Sequence, residues 1–330
     1  MSPLAWIGRQ RARAVAALLL IGIGLPPLGD LLRPYLTEAV IGLLCIAFMR
    51  LDASAFAACL RRPGALLAAT AWTTLGIPVA FAAAGLVLPI GPDVYLGLML
   101  QGIASPLMAA PAFAALIGLD ATLVLATMLA ATVLTPLSAP LVAHLLDLEI
   151  TLSPIDLGLK LGLILGGSAA LGLGLRHLLG EARIAHRRDE MDGLNILVLL
   201  VFVSAVMGGV GPAFLADPLR VVGLSLLAFA IFGLVLGLTF LAFLWLGAAR
   251  ALAVAMTSAQ RNMGLMMAAA GGMLSDGTWL YFAVTQFPIY LAPWMLHPLA
   301  RRALKPAMLA PTVAPPAPPT RTPPPEEPPP

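Results

Sequence analysis

The sequence predicts an all-α polytopic membrane protein with ten transmembrane helices. Three observations carry that expectation. The 330-residue chain is 60% hydrophobic and 11% charged, with a mean hydropathy of +0.96, whereas a soluble domain carries about 25% charged residues. Its apolar residues fall into ten segments, at about 13–31, 35–50, 64–88, 93–117, 121–146, 156–178, 193–210, 218–247, 250–272 and 279–300. Most of these approach the ~20 residues that cross a ~30 Å hydrocarbon core. The basic residues are also sorted. With the N-terminus inside, the inner ends and loops hold 15 of the 19 Lys and Arg, and the outer ones hold only Arg33, Lys160 and Arg220. That asymmetry is the positive-inside pattern and requires an even number of spans. The expected location is the inner (plasma) membrane, multi-pass, with both termini cytoplasmic.

The elements follow in order. Residues 1–12 form the cytoplasmic N-terminus, with Arg9 and Arg11 just ahead of the first segment. That segment ends in Leu25-Pro26-Pro27-Leu28-Gly29-Asp30 without an Ala-x-Ala cleavage site, so it reads as a retained helix. Cys45 and Cys59 lie around the second segment and read as apolar packing residues, with neither disulfide nor metal spacing. The fourth segment is bracketed by Asp93 and Asp120, and its centre falls on Gln101-Gly102-Ile103-Ala104-Ser105-Pro106, with Pro111 behind. Proline removes a donor and frees a carbonyl one turn back. Irregular backbone at membrane depth is tolerated only where it is buried or lines a cavity. The sixth segment has Gly158, Gly162 and Gly166 at small-xxx-small spacing, suited to close helix packing or a homodimer face. His177 and His186 lie in a basic inner loop and read as solvated. Residues 306–330 carry 12 prolines with Glu326 and Glu327, and read as a disordered, extended cytoplasmic tail.

The ninth segment holds the most unusual group. Gln260-Arg261-Asn262 interrupts the run ALAVAMTSAQRNMGLMMAAAGG. Arg261 lies eleven residues after Arg250, about 16 Å along a helix of ~1.5 Å rise, near the bilayer midplane. An intramembrane charge costs at least ~2.5 kcal/mol on insertion scales, so it faces protein or a water-filled cavity. Snorkelling is out of reach from this depth, which leaves structural pairing between helices or a functional site.

The two halves of the chain echo each other. Thr135-Pro136-Leu137-Ser138-Ala139-Pro140 runs on to His144, and Phe287-Pro288-Ile289-Tyr290-Leu291-Ala292-Pro293 runs on to His297. The fifth segment opens with Asp120-Ala121-Thr122-Leu123 and the tenth with Asp276-Gly277-Thr278-Trp279, each Asp placed to cap a helix start. Five spans per copy is odd, so the second copy is inverted. The expected units are residues 13–148 and 149–305.

These residues resemble the bile acid:sodium symporter family. The resemblance covers roughly residues 13–305. It rests on the five-plus-five order, Pro106 in segment four, the Asp120 turn, the Thr135-Pro136 to Pro140 run and Asn262-Met263-Gly264-Leu265 in segment nine. It implies a panel domain of helices 1, 2, 6 and 7, a core domain of helices 3–5 and 8–10, and broken helices 4 and 9 crossing beside the substrate cavity. It also implies sodium ligands at positions where this chain departs from the family. Pro111-Ala112 stand for Ser-Asn, Thr257 for a Glu, Arg261 for a Gln, and Thr73 for the Gln five residues before Pro78. Asn262 is retained. Thr73, Thr257 and Ser258 are ion-site remnants that still offer oxygen, the donor type a hard cation prefers. A guanidinium ~5 Å away would oppose sodium by roughly 3 kcal/mol at an effective dielectric of 20.

The expected function is secondary transport of a small organic anion by alternating access, without the family's usual sodium coupling. Ser105, Pro106, Gln260, Arg261 and Asn262 are the expected substrate-binding residues. Arg261 has two possible roles: replacing a bound sodium, or pairing with the anion through its fork. Alternatives are a sodium-coupled symporter with a rebuilt ion site, a non-transporting sensor or scaffold, and an intramembrane enzyme. No Ser–His–Asp spacing, metal cluster or phosphate loop is present, so no cofactor, metal or nucleic-acid partner is expected. His144 and His297, near equivalent helix ends, read as interfacial or as a proton relay.

Overall fold

The computed structural model describes residues 2–9, 12–51, 63–87, 89–146, 153–270, 272 and 274–309. Cys59, residues 147–152 of the loop after the fifth segment, and residues 310–330 of the Pro-rich tail lie outside the described residues. Every named element among the described residues is helical. They are α1 (Pro3–Arg9), α2 (Ala12–Gly24), α3 (Pro26–Leu32), α4 (Leu36–Met49), α5 (Pro63–Ala71), α6 (Ile77–Val87), α7 (Pro92–Ile103), α8 (Ala110–Leu116) and α9 (Ala121–Leu145). The second half continues with α10 (Pro154–Leu179), α11 (Glu181–His186), α12 (Arg188–Met207), α13 (Val210–Ala216), α14 (Pro218–Ala242), α15 (Ala248–Ala259), α16 (Met263–Ala270) and α17 (Asp276–Leu309). Six stretches are long and apolar enough to cross a membrane: Pro26–Met49, Pro63–Val87, Ala121–Leu145, Pro154–Leu179, Arg188–Ala216 and Pro218–Ala242. The chain is therefore a polytopic α-helical membrane protein by length and composition.

The first reversal falls earlier than the sequence suggests. It sits at Leu25, whose φ of −124° and ψ of 69° leave the helix, and not between residues 31 and 35. Pro26 and Pro27 then occupy the first turn of α3, where a missing N–H costs nothing. Arg33–Tyr35 tightens into a single 3₁₀ turn, so Pro26–Met49 reads as one span. At the other end, α17 continues to Leu309 and takes in the first four residues of the tail expected from 306.

Two groups of helices emerge from the packing. In the first, α12 packs against α1, α2, α3 and α4, and α4 against α10. Lipid gives no hydrophobic drive between helices, so close approach through small residues must hold them. Gly29 meets Gly208, where an added Cβ would fall 2.5 Å from the Gly208 Cα, and a Cβ added to Gly211 would fall 2.6 Å from the Ile23 carbonyl oxygen. In the second group, α9 packs on α5, α8 and α15, α7 on α6 and α17, and α15 on α14 and α17. The groups touch where α9 lies on α10, α16 on α4 and α10, and α12 on α17. Pro140 deprives the Pro136 carbonyl of its helical donor, and Gly158 of α10 lies against that carbonyl, 2.8 Å from where its Cβ would stand. Gly158 thus packs α10 onto α9 within the chain. Beside Gly166, by contrast, nothing stands within 4 Å.

Candidate functional site

Both expected interruptions occur, and they cross. The fourth segment breaks between α7 and α8, over residues 104–109, and the ninth breaks between α15 and α16, over residues 260–262. Pro106 and Arg261 face each other as an antiparallel bridge. The Leu107 N–H donates to the Gln260 carbonyl at 2.8 Å, and the Asn262 N–H donates to the Ser105 carbonyl at 2.8 Å. These bonds flank the Pro106–Arg261 pair, which is the non-hydrogen-bonded position of an antiparallel ladder. Proline fits there because that position asks for no N–H. Successive side chains in extended backbone point to opposite faces. Arg261 and Pro106 therefore share one face, and Ser105, Leu107, Gln260 and Asn262 share the other.

Arg261 is 1% exposed, and its guanidinium is directed at main-chain carbonyls. Its Nε donates to Gln101 O at 3.2 Å and its Nη2 to Gly102 O at 2.5 Å. Both Nη atoms donate to Thr73 O at 3.3 Å. Each acceptor has a local reason to be available. Gly102 lies in the last turn of α7, where carbonyls lack helical partners, and the Gln101 carbonyl, which takes the Ala104 N–H at 3.3 Å, offers its second lone pair. Continued helix would have bonded Gly102 O to the N–H of residue 106, which is proline. Thr73 lies in a π turn, Trp72–Gly76, where the Ile77 N–H bonds back to Trp72 O. In that shifted register the donor for Thr73 O would be residue 78, again a proline. Two prolines in two helices thus each strand a carbonyl, and one arginine from a third segment takes both. The negative end of the α7 dipole favours the same cation.

The surrounding residues lock this arrangement. Gln101 Oε1 accepts a 2.6 Å bond from the Tyr281 hydroxyl, tying α7 to α17. Gly97 permits that approach, since a Cβ there would fall 2.7 Å from the Tyr281 ring. Asn262 Oδ1 accepts from the Leu265 N–H at 3.1 Å and so caps the start of α16. Gln260 Nε2 donates to Ile289 O at 3.4 Å. Two buried atoms on the face opposite Arg261, Ser105 Oγ and Gln260 Oε1, have no protein hydrogen-bond partner.

The three ion-site remnants separate. The Thr73 and Ser258 hydroxyls come within 3.2 Å of each other, and Thr73 also donates to Ala69 O. Thr257 instead donates to Ala253 O, one turn back in its own helix. All four histidines are exposed, so His144 and His297 share no buried relay. Among the described residues, no group of three His, Cys, Asp or Glu side chains is placed to hold a metal ion. Asp120 caps α9 through Leu123 N, as expected. Ser275, not Asp276, caps α17, through Thr278 N.

Sequence reasoning did not select Gln101, Gly97 or Tyr281. A lone carboxamide just before a proline at the centre of an apolar segment was the available signal for Gln101. Compared with protein-family models and with curated proteins, the chain matches none.

Proposed function

We propose that this chain is a secondary transporter of a small organic anion, built on the plan of the bile acid:sodium symporters, in which Arg261 takes the place of a bound cation. The observation that carries the reading is the crossing itself. Two interrupted helices pair by main-chain bonds around Pro106 and Arg261, and the guanidinium occupies the stranded carbonyls of Thr73 and Gly102 and the second lone pair of the Gln101 carbonyl. Stranded carbonyls at membrane depth are a cation site in such folds, and half-helix ends beside them receive substrate. A side chain already fills the cation position. The anion then belongs on the opposite face, against Ser105, Gln260 and Asn262, where the Ser105 hydroxyl lacks a protein partner and is able to donate to it.

The ten-span, inverted-repeat plan is part of this proposal, and paired helix starts support it. At the start of α7, Asp93 accepts from Ser275 Oγ at 2.7 Å, and its carbonyl accepts from Thr278 Oγ1 at 2.8 Å, both at the start of α17. At the start of α15, Arg250 lies 3.6 Å from Asp120 at the start of α9. Helix four thus meets helix ten as helix nine meets helix five, the relation that inversion of one repeat onto the other requires. The groups α1–α4 with α10 and α12, and α5–α9 with α14–α17, then correspond to panel and core.

The test is uptake of candidate organic anions into proteoliposomes, in sodium and in choline. Saturable uptake that is equal in the two salts is expected. Strong sodium dependence would overturn the tethered-cation reading in favour of a rebuilt ion site. Chemical turnover without net flux would overturn transport in favour of an enzyme.

A further inference from the structure

The two helix groups also meet at the end where α17 begins, and there the contacts are of a different kind. Arg33, on the 3₁₀ turn between α3 and α4, holds its guanidinium carbon 4.2 Å from the Trp279 ring centroid. The same guanidinium lies 3.9 Å from the Asp276 carboxylate, with both side chains open to solvent. The Trp279 indole N–H donates to the Val206 carbonyl of α12 at 3.3 Å. One tryptophan of the second group therefore touches two separate helices of the first.

These contacts differ from the rest of the seam. The α9–α10 contact places Gly158 on the Pro136 carbonyl, and these two helices are neighbours along the chain. Gly264 of α16 lies on Phe202 of α12 and Val40 of α4, with an added Cβ at 2.6 and 3.4 Å. Such backbone-close packing is bistable at most, not adjustable. The Arg33–Trp279 contact joins an open guanidinium to a half-buried indole. It forms and breaks at little cost, because water replaces each partner. On the other side of the crossing, α8 packs on α9, α15 and α17, all within the second group.

We propose that Arg33 and Trp279 form a latch that holds the two helix groups together at the Asp276 end, so that its release opens the Ser105–Asn262 face from that side. The inference rests on the transporter reading and assigns the moving contact for it. A cation over an indole face shifts a two-state equilibrium by a few-fold to about tenfold, enough to bias a gate without freezing it. Arg33 is one of three basic residues at the outer ends by charge count, and Asp276 keeps it aimed along α17.

The test uses the detergent-solubilised full chain with Cys45 and Cys59 replaced by Ser. Val40→Cys places a reporter in the seam against α16, where Val40 is 3% exposed. Ala253→Cys, in separate protein, places a control in α15, at 0% exposure within the second group. Arg33→Ala and Trp279→Ala should each raise maleimide labelling at position 40 by about threefold to tenfold, and leave position 253 unchanged. The double variant should label no faster than the faster single variant, because both remove one contact. An unchanged rate at position 40 would overturn the latch. So would an equal rise at position 253, which means general loosening, or additive effects in the double variant. None of these readouts involves substrate, so absence of flux would count against the transporter reading alone.

Discussion

The two interruptions that cross at the centre of this protein reach the same geometry by opposite means. The first, after Ile103, is made by residue type. Pro106 and Pro111 delete donors, and no charged residue lies between Asp93 and Asp120. The second, after Ala259, contains no proline or glycine at all. Gln260, Arg261 and Asn262 all have helix-compatible backbones, yet Gln260 turns to φ −89° and ψ 98°. What opens that helix is demand from elsewhere. Ser105 and Leu107 offer a ladder edge, three carbonyls offer a cation site, and Asn262 restarts the helix with a side-chain cap. One break is announced by local residue type and the other is tertiary, drawing on carbonyls that prolines at 106 and 78 leave without helical donors.

That asymmetry gives an order of effects. Removing Arg261 should do most harm. Arg261→Met leaves the Thr73 and Gly102 carbonyls without their donor in a buried site and takes one of two donors from the Gln101 carbonyl, at a cost of about 2–6 kcal/mol. The expected result is a large fall in melting temperature or failure to purify as a single species in detergent. A melting temperature within a few degrees of the parent would mean that the second break does not depend on its arginine.

Gly97→Val comes next. The new side chain must displace the Tyr281 ring, breaking the Gln101 bond that supports the first break from α17, at about 1–3 kcal/mol. Tyr281→Phe, which removes only the hydroxyl, should cost about 1 kcal/mol and so separates the bond from the packing. If Gly97→Val melted no lower than Tyr281→Phe, the close approach at Gly97 would carry no weight.

Asn262→Ala loses one helix cap and should cost about 1 kcal/mol, recovered largely by Asn262→Asp or Asn262→Ser. Equal losses in all three would point to a different role for the carboxamide.

The smallest effect belongs to Pro106→Ala. Position 106 is flanked by ladder bonds but makes none, so an alanine keeps the crossing, and stability should change by less than about 1 kcal/mol. Arg261 still claims the Gly102 carbonyl. A large stabilisation, with helix regained across residues 103–107, would show that the proline alone held the break open.

The first half of this pairing was legible in the sequence because its cause is local. A proline at the centre of an apolar segment states which carbonyl it frees, and residue 106 points directly to residue 102. Arg261 was legible as an anomaly, since a charge inside an apolar segment needs a partner. Its partners were not, because they are main-chain atoms whose availability depends on a π register at Trp72–Gly76 that no residue type announces. The reversal at Leu25 was misplaced for a related reason. Asp30 and Arg33 look like a loop by charge, but Pro26 and Pro27 start a helix as readily as they end one. Gln101 and Tyr281 stayed hidden because their pairing is a long-range contact, permitted by a glycine at position 97 that reads locally as nothing more than a small residue.

Arg261 also changes how the core answers to its surroundings. A fold that closes around a dissociable ion is stabilised in proportion to the logarithm of that ion's concentration, and it loosens when the ion is diluted away. Here the cation is on a covalent stem and has no concentration to lose. The crossing should therefore hold equally in any salt, from the moment the ninth segment meets the fourth. The same permanence removes a degree of freedom, because a charge that never leaves cannot report, by its arrival, that a gradient exists.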